Sequence, residues 1–145
     1  MLAMDFSWLK MRIAEEQGRR DREAGALKQL PRALEELHRH LAACVESYTT
    51  AFGPETAEAQ FQGLKIRITV REESEGKWQQ RARIEIAAVP TLPGFRIERG
   101  EEPLLIEVGV LQGEKLFYKD QDQFLTLEEL TRRILDRALF PKLSE

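Results

Sequence analysis

Residues 32–48 read RALEELHRHLAACVESY, and the fold turns on how this stretch is interpreted. It holds both histidines of the chain, His38 and His40, and its only cysteine, Cys44. One reading is a metal or catalytic cluster. The other is the inner face of a helix. Leu34, Leu37, Leu41, Cys44 and Tyr48 recur at steps of three and four, the spacing that keeps side chains on one helix face. His40 and Cys44 are four apart and share a face, but His38 lies about 200° around the helix from His40. A closed zinc site needs four ligands, and the sequence offers no second His or Cys half-site. The stretch therefore predicts a core-facing helix with Cys44 in the seam as a small hydrophobe. No metal and no cofactor is implied.

The same steps extend in both directions. Phe6, Leu9 and Ile13 precede, then Leu27 and Leu30, and Ala51 follows, all in one heptad register. Glu16, Arg20 and Glu23 occupy the seam between Ile13 and Leu27, so EEQGRRDRE interrupts an otherwise apolar stripe. Gly18, Gly25 and Pro31 disfavour helix here. Each glycine costs about 1 kcal/mol against alanine and an interior proline about 3 kcal/mol. The expectation is a helical region over 5–52, kinked or broken near 25–31, and ended by Gly53-Pro54.

Residues 63–119 change to period two. Leu64, Ile66, Ile68 and Val70 alternate with Lys65, Arg67, Thr69 and Arg71, and the run from Trp78 to Val89 continues the pattern. GFRIERG, LLIEVGVL and EKLFYK add three strands, the last two joined by a tight hairpin at Gln112-Gly113. The expected result is a five-stranded antiparallel meander. Thr126 and Glu129 then form a capping box, with Leu125 and Leu130 as its hydrophobic staple, opening a helix over 126–140 that Pro141 stops. The fold class is α+β: a two-layer domain spanning 1–145, its sheet covered by the N-terminal helical region and the C-terminal helix.

Composition narrows the function. Apolar residues make up 42% of the 145 positions, charged residues 32%, and the net charge is −3. That balance gives no whole-molecule attraction for nucleic acid or anionic membrane. A single cysteine makes no internal disulfide and suits a reducing cytoplasm. MLAMDFSWLK has neither a basic leader nor a long apolar run, so no signal segment is expected, and no stretch approaches a membrane span. Nucleophile-elbow, phosphate-loop and zinc-protease motifs do not occur. DQDQFLTLEE fails as a calcium loop, with Leu125 where glycine is needed and Thr131 where a bidentate glutamate is needed.

Two features remain as candidates. Lys65, Arg67, Arg71, Arg81 and Arg83 form a basic strip on neighbouring strands that could contact phosphate or another anion, although no aromatic residue is interleaved with it. The N-terminal arm carries Phe6, Trp8, Leu9 and Ile13 at helical spacing. Phe6, Leu9 and Ile13 are expected to be buried, either against the chain's own domain or on a second chain. The sequence thus reads as a cytoplasmic, non-enzymatic protein-binding or assembly module, with homodimerisation through the arm in view. Nucleic-acid or anion binding by the basic strip is the first alternative. A small-ligand carrier or enzyme with a pocket between helix and sheet is the second.

Overall fold

The computed structural model describes residues 6–112 and 115–142. Its architecture is α+β. Helix α1 runs Ser7–Phe52, followed by strands β1 (Ala57–Gln62), β2 (Lys65–Ser74), β3 (Lys77–Val89), β4 (Gly94–Glu98), β5 (Leu104–Leu111), β6 (Lys115–Asp120) and β7 (Gln123–Leu125), then helix α2 (Leu127–Leu139). The strands form one sheet in sequential order, every neighbour antiparallel.

The sheet has seven strands, not the expected five. β1 was hidden because AEAQFQ is made largely of residues that favour helix, and it becomes a strand by pairing with β2. β7 has three residues, too few to show a period. The hairpin between β2 and β3 is tighter than the sequence suggests: Glu75 and Gly76 both have positive φ, as a two-residue I′ turn requires. In the hairpin expected at Gln112-Gly113, Gly113 lies outside the described residues.

The expected break near 25–31 is also absent. α1 is one helix of 46 residues with Pro31 inside it. Pro31 is exposed, while Leu30, Ala33 and Leu34 around it are buried, so tertiary packing outweighs the local penalty. The buried stripe is Ala26, Leu30, Ala33, Leu34, Leu37, Leu41 and Val45. It departs from the heptad seam at both ends: Ala26 is buried where Leu27 was expected, and Val45 where Cys44 was expected. A 3.5-residue seam matches a supercoiled helical partner. The partner here is a sheet, and the stripe keeps the helix's own longer repeat.

From Leu30 onward that stripe joins Ile66, Ile68, Val70, Ile84, Ile86, Phe95, Ile97, Ile106, Val108 and Tyr118 from the sheet in one core. α2 adds Leu130, Ile134, Leu135 and Leu139. Its capping box forms as expected: Thr126 Oγ1 accepts from the Glu129 amide at 3.1 Å, and Glu129 Oε1 accepts from the Thr126 amide at 3.2 Å.

Continuity through Pro31 generates a prediction. Pro31→Ala restores a backbone donor and removes the ring from an exposed helical site. Stability should rise by up to about 3 kcal/mol, measured by urea unfolding followed by circular dichroism. An unchanged midpoint would mean that the helix is interrupted at this point.

Candidate functional site

The basic strip divides once the strands are in register. Arg67 stands opposite Glu85, and Thr69 opposite Arg83. Both arginines reach the same carboxylate, Arg67 at 3.4 Å and Arg83 at 2.5 Å. Arg71 reaches Glu58 on β1 at 3.0 Å. The hydrogen bond from Arg83 holds the Glu85 carboxyl below its ordinary range, and that from Arg71 does the same for Glu58. Lys65, Arg67 and Arg83 are exposed, and Arg71 is half-buried. The outer face is thus a mixed ladder of both signs and not a cationic stripe.

Arg81 does not belong to that face. The register shifts between Val70 and Arg71, so Arg81 is the additional residue of a β-bulge. Its Nη2 donates to the carbonyl oxygens of Ala138 at 2.7 Å and Leu139 at 3.0 Å. These are last-turn carbonyls of α2 without helical partners, at the end of the helix that favours a cation. Arg99 donates to the Arg133 carbonyl at 2.9 Å, and Arg133 in turn pairs with Asp120. Arginine contacts therefore fasten α2 to the sheet.

The sheet presents aromatic residues outward: Trp78 lies at the hairpin end of β3, opposite Glu73 and beyond Arg71, and a second group lies away from the strip. Phe117 on β6 and Phe124 on β7 lie 5.5 Å apart, with the Lys119 ammonium 5.3 Å from the Phe124 ring centre. Phe117 covers Gly109, where a Cβ would fall 1.9 Å from the ring. The alternation in LFYKD, with Tyr118 inward, was the signal for Phe117. β6 lies three strands beyond β3, roughly 14 Å at ordinary strand spacing. Phe117 and Phe124 are therefore not interleaved with the arginines, and Trp78 alone lies near them, short of the row of aromatics that a stacking platform for single strands uses.

His38 lies apart from His40 and Cys44, which share a side of α1. His38 packs on Phe61 of β1, with ring centroids 4.8 Å apart, and its Nδ1 is buried without a hydrogen-bond partner. Burial lowers its pKa from 6.5. His40 is exposed, its Nδ1 3.1 Å from the Glu36 carbonyl. Among the described residues, no three His, Cys, Asp or Glu side chains gather as a metal site. Cys44 is exposed, not in the core, because Val45 takes the inward position. Partial burial still pushes the thiol pKa upward, away from the thiolate a nucleophile needs.

Cys44 and His40 lie on an open groove of about 750 Å³ between α1 and α2. Tyr48, Phe52, Leu139 and Phe140 supply much of its apolar wall. Sequence reasoning missed it, since it depends on how the two helices are set side by side.

The arm is the most apolar exposed element. Phe6, Trp8, Leu9, Met11 and Ile13 are between 39% and 64% exposed. The expected burial of Phe6, Leu9 and Ile13 against the chain's own domain does not occur. α1 has buried residues only from Ala26 onward. Between lies a network on the helix surface: Glu16 accepts from Arg19 and Arg20, and Arg19 also reaches Glu23. The hydrogen bond from Arg19, then that from Arg20, lowers the Glu16 pKa to about 2.

Among the described residues, no helix is long and apolar enough to cross a membrane. Comparison of the chain with protein-family models, with curated proteins and with solved structures finds no match.

The arginine geometry predicts unequal effects. Arg81→Gln should destabilise by about 1–3 kcal/mol, since it removes charged donors to half-buried carbonyls at the end of α2. Arg83→Gln should stay within about 0.5 kcal/mol. Equal effects in urea unfolding would contradict the assignment of Arg81 to the α2 terminus.

His38 predicts a pH dependence. Its folded pKa is below 6.5, so below that pH the unfolded chain binds more protons. The contribution of neutral His38 is complete above pH 6.5 and is lost as pH falls toward the lower folded pKa. Across that window the melting temperature of wild type should fall further than that of His38→Leu. Parallel curves would contradict the burial of His38 Nδ1 without a partner.

Proposed function

We propose that this protein is a non-enzymatic protein-binding or assembly module of the cytoplasm, and that the arm of α1, residues 7–25, is its contact element. The observation that carries this reading is the row of exposed large apolar side chains on a helix that has left its own core behind. Scattered apolar residues are ordinary on surfaces, but five within eight positions at the start of α1 are a concentration of the kind that marks an interaction site. Covering them removes apolar area from water, worth about 25 cal/mol per Å² before the costs of association.

Charge supports the arm over the sheet. The outer-face arginines are matched by Glu58 and Glu85, which leaves little unbalanced cationic surface for phosphate. The lone thiol shows no sign of activation.

The test is site-specific photocrosslinking in the protein's own cells. A benzophenone amino acid in place of Leu9 should form adducts with protein. The same group in place of Lys77, at the exposed β2–β3 hairpin, should not. A Leu9 probe that forms no protein adduct would remove the reading.

A further inference from the structure

Part of the α1 heptad seam is unused by the sheet. Phe6, Leu9, Ile13, Glu16, Arg20, Glu23 and Leu27 follow strict steps of three and four. The apolar members are 48%, 39%, 48% and, for Leu27, 45% exposed. Leu27 is informative: it lies beside the core, yet Ala26 takes the inward place. A 3.5-residue repeat left outside a core fits a helix, not a sheet.

We infer that this seam is an isologous interface, in which the α1 arms of two copies pair antiparallel with Leu9 opposite Leu27 of the second copy and Glu16 opposite Arg20 of the second copy. The inference rests on the reading of the arm as a protein-contact element and names its partner.

Charge complementarity selects the arrangement. In a parallel pair Glu16, Arg20 and Glu23 would each face their own copy, three layers of like charge. Antiparallel pairing in the stated register gives two Glu16–Arg20 pairs across the two-fold axis, flanked by Ile13 against the stem of Glu23 and closed by a Leu9–Leu27 layer at each end. Glu23 keeps its own Arg19 at 2.5 Å. Every layer joins the two alternating seam positions, as antiparallel helices require. A shift of one heptad sets Leu9 against Arg20, or Leu27 against Glu16. A shorter overlap with Leu9 against Ile13 leaves Leu27 exposed and the charged layers unmatched. Charged layers set between apolar ones fix register and orientation in helix pairs.

The arms have room. The span from Leu9 to Leu27 is roughly 27 Å of helix, all of it ahead of Leu30, the first α1 residue in the core shared with the sheet. Each arm lies along its counterpart and not across the other copy's sheet. Trp8 and Met11 fall about 100° and 200° around the helix from Leu9, so they stay outside the seam. The competing arrangement inserts that second stripe into the α1–α2 groove of another copy, and the same experiment separates the two.

The experiment uses the full chain. Light scattering should give twice the chain mass for wild type. Glu16→Arg and Arg20→Glu should each raise the dimer dissociation constant at least tenfold, with helix content retained by circular dichroism. Combining them restores opposite charges across the axis and should restore the dimer. Trp8→Ser with Met11→Ser should leave it intact. In a Cys44→Ser background, Leu9→Cys with Leu27→Cys should oxidise to a covalent dimer, and neither cysteine alone should do so. A dimer lost with Trp8 and Met11 but insensitive to charge reversal would overturn the seam in favour of the groove. Crosslinking by Leu9→Cys alone would overturn the antiparallel orientation. A monomer at every concentration, with Leu9 photo-adducts only to other proteins, would overturn self-pairing and leave the assembly reading standing. A monomer with no adducts would overturn both.

Discussion

The structure depends on the burial of one face of α1 against the inner face of the sheet. Leu30, Leu34, Leu37, Leu41 and Val45 supply the helix side, and the isoleucines of β2 to β5 supply the other. Each large aliphatic side chain removed from water contributes about 1.5–3 kcal/mol. Several such residues flank Pro31 and outweigh its local cost. The same contact explains the arm. Helix nucleation is the unfavourable step, and propagation adds little cost per residue. The packed half of α1 supplies the nucleus. The arm then needs only continuation through Gly18 and Gly25, assisted by the Glu16, Arg19, Arg20 and Glu23 network. A segment that would be marginal in isolation is carried as an extension of a helix already held in place.

The arginines show how one residue type serves different ends. Arg83 and Arg81 are two positions apart on β3, and simple alternation would send both to the same side. The bulge at Val70/Arg71 separates them. Arg83 stays on the solvated face and shares Glu85 with Arg67, an exposed arrangement of small energetic weight. Arg81 turns to the helical layer and satisfies two carbonyls at the end of α2, where unpaired acceptors would otherwise be costly. One irregularity in strand pairing therefore converts a surface charge into a fastening for the second helix. It also leaves the outer face nearly balanced, while the exposed large apolar side chains concentrate on the arm.

The sequence by itself determined the fold class, the helical nature of residues 32–48, five of the strands and the capping box at Thr126, because each rests on local periodicity or local hydrogen bonding. It placed Phe6, Leu9, Ile13 and the charged layer in one register, since 3.5-residue spacing is visible without a structure. Tertiary structure decided the rest. β1 exists because β2 offers it a ladder, against the helix preference of its own residues. Pro31 sits inside a helix because flanking leucines are buried at a distance in sequence that no local rule includes. Val45 and Ala26 displaced Cys44 and Leu27 from the core because a sheet accepts the helix's natural repeat, where a second helix would have held it to the heptad. The direction of Arg81 followed from a bulge, and the groove beside Cys44 from the setting of two helices. Each is a relation between elements distant in sequence, and composition and spacing carry no record of it.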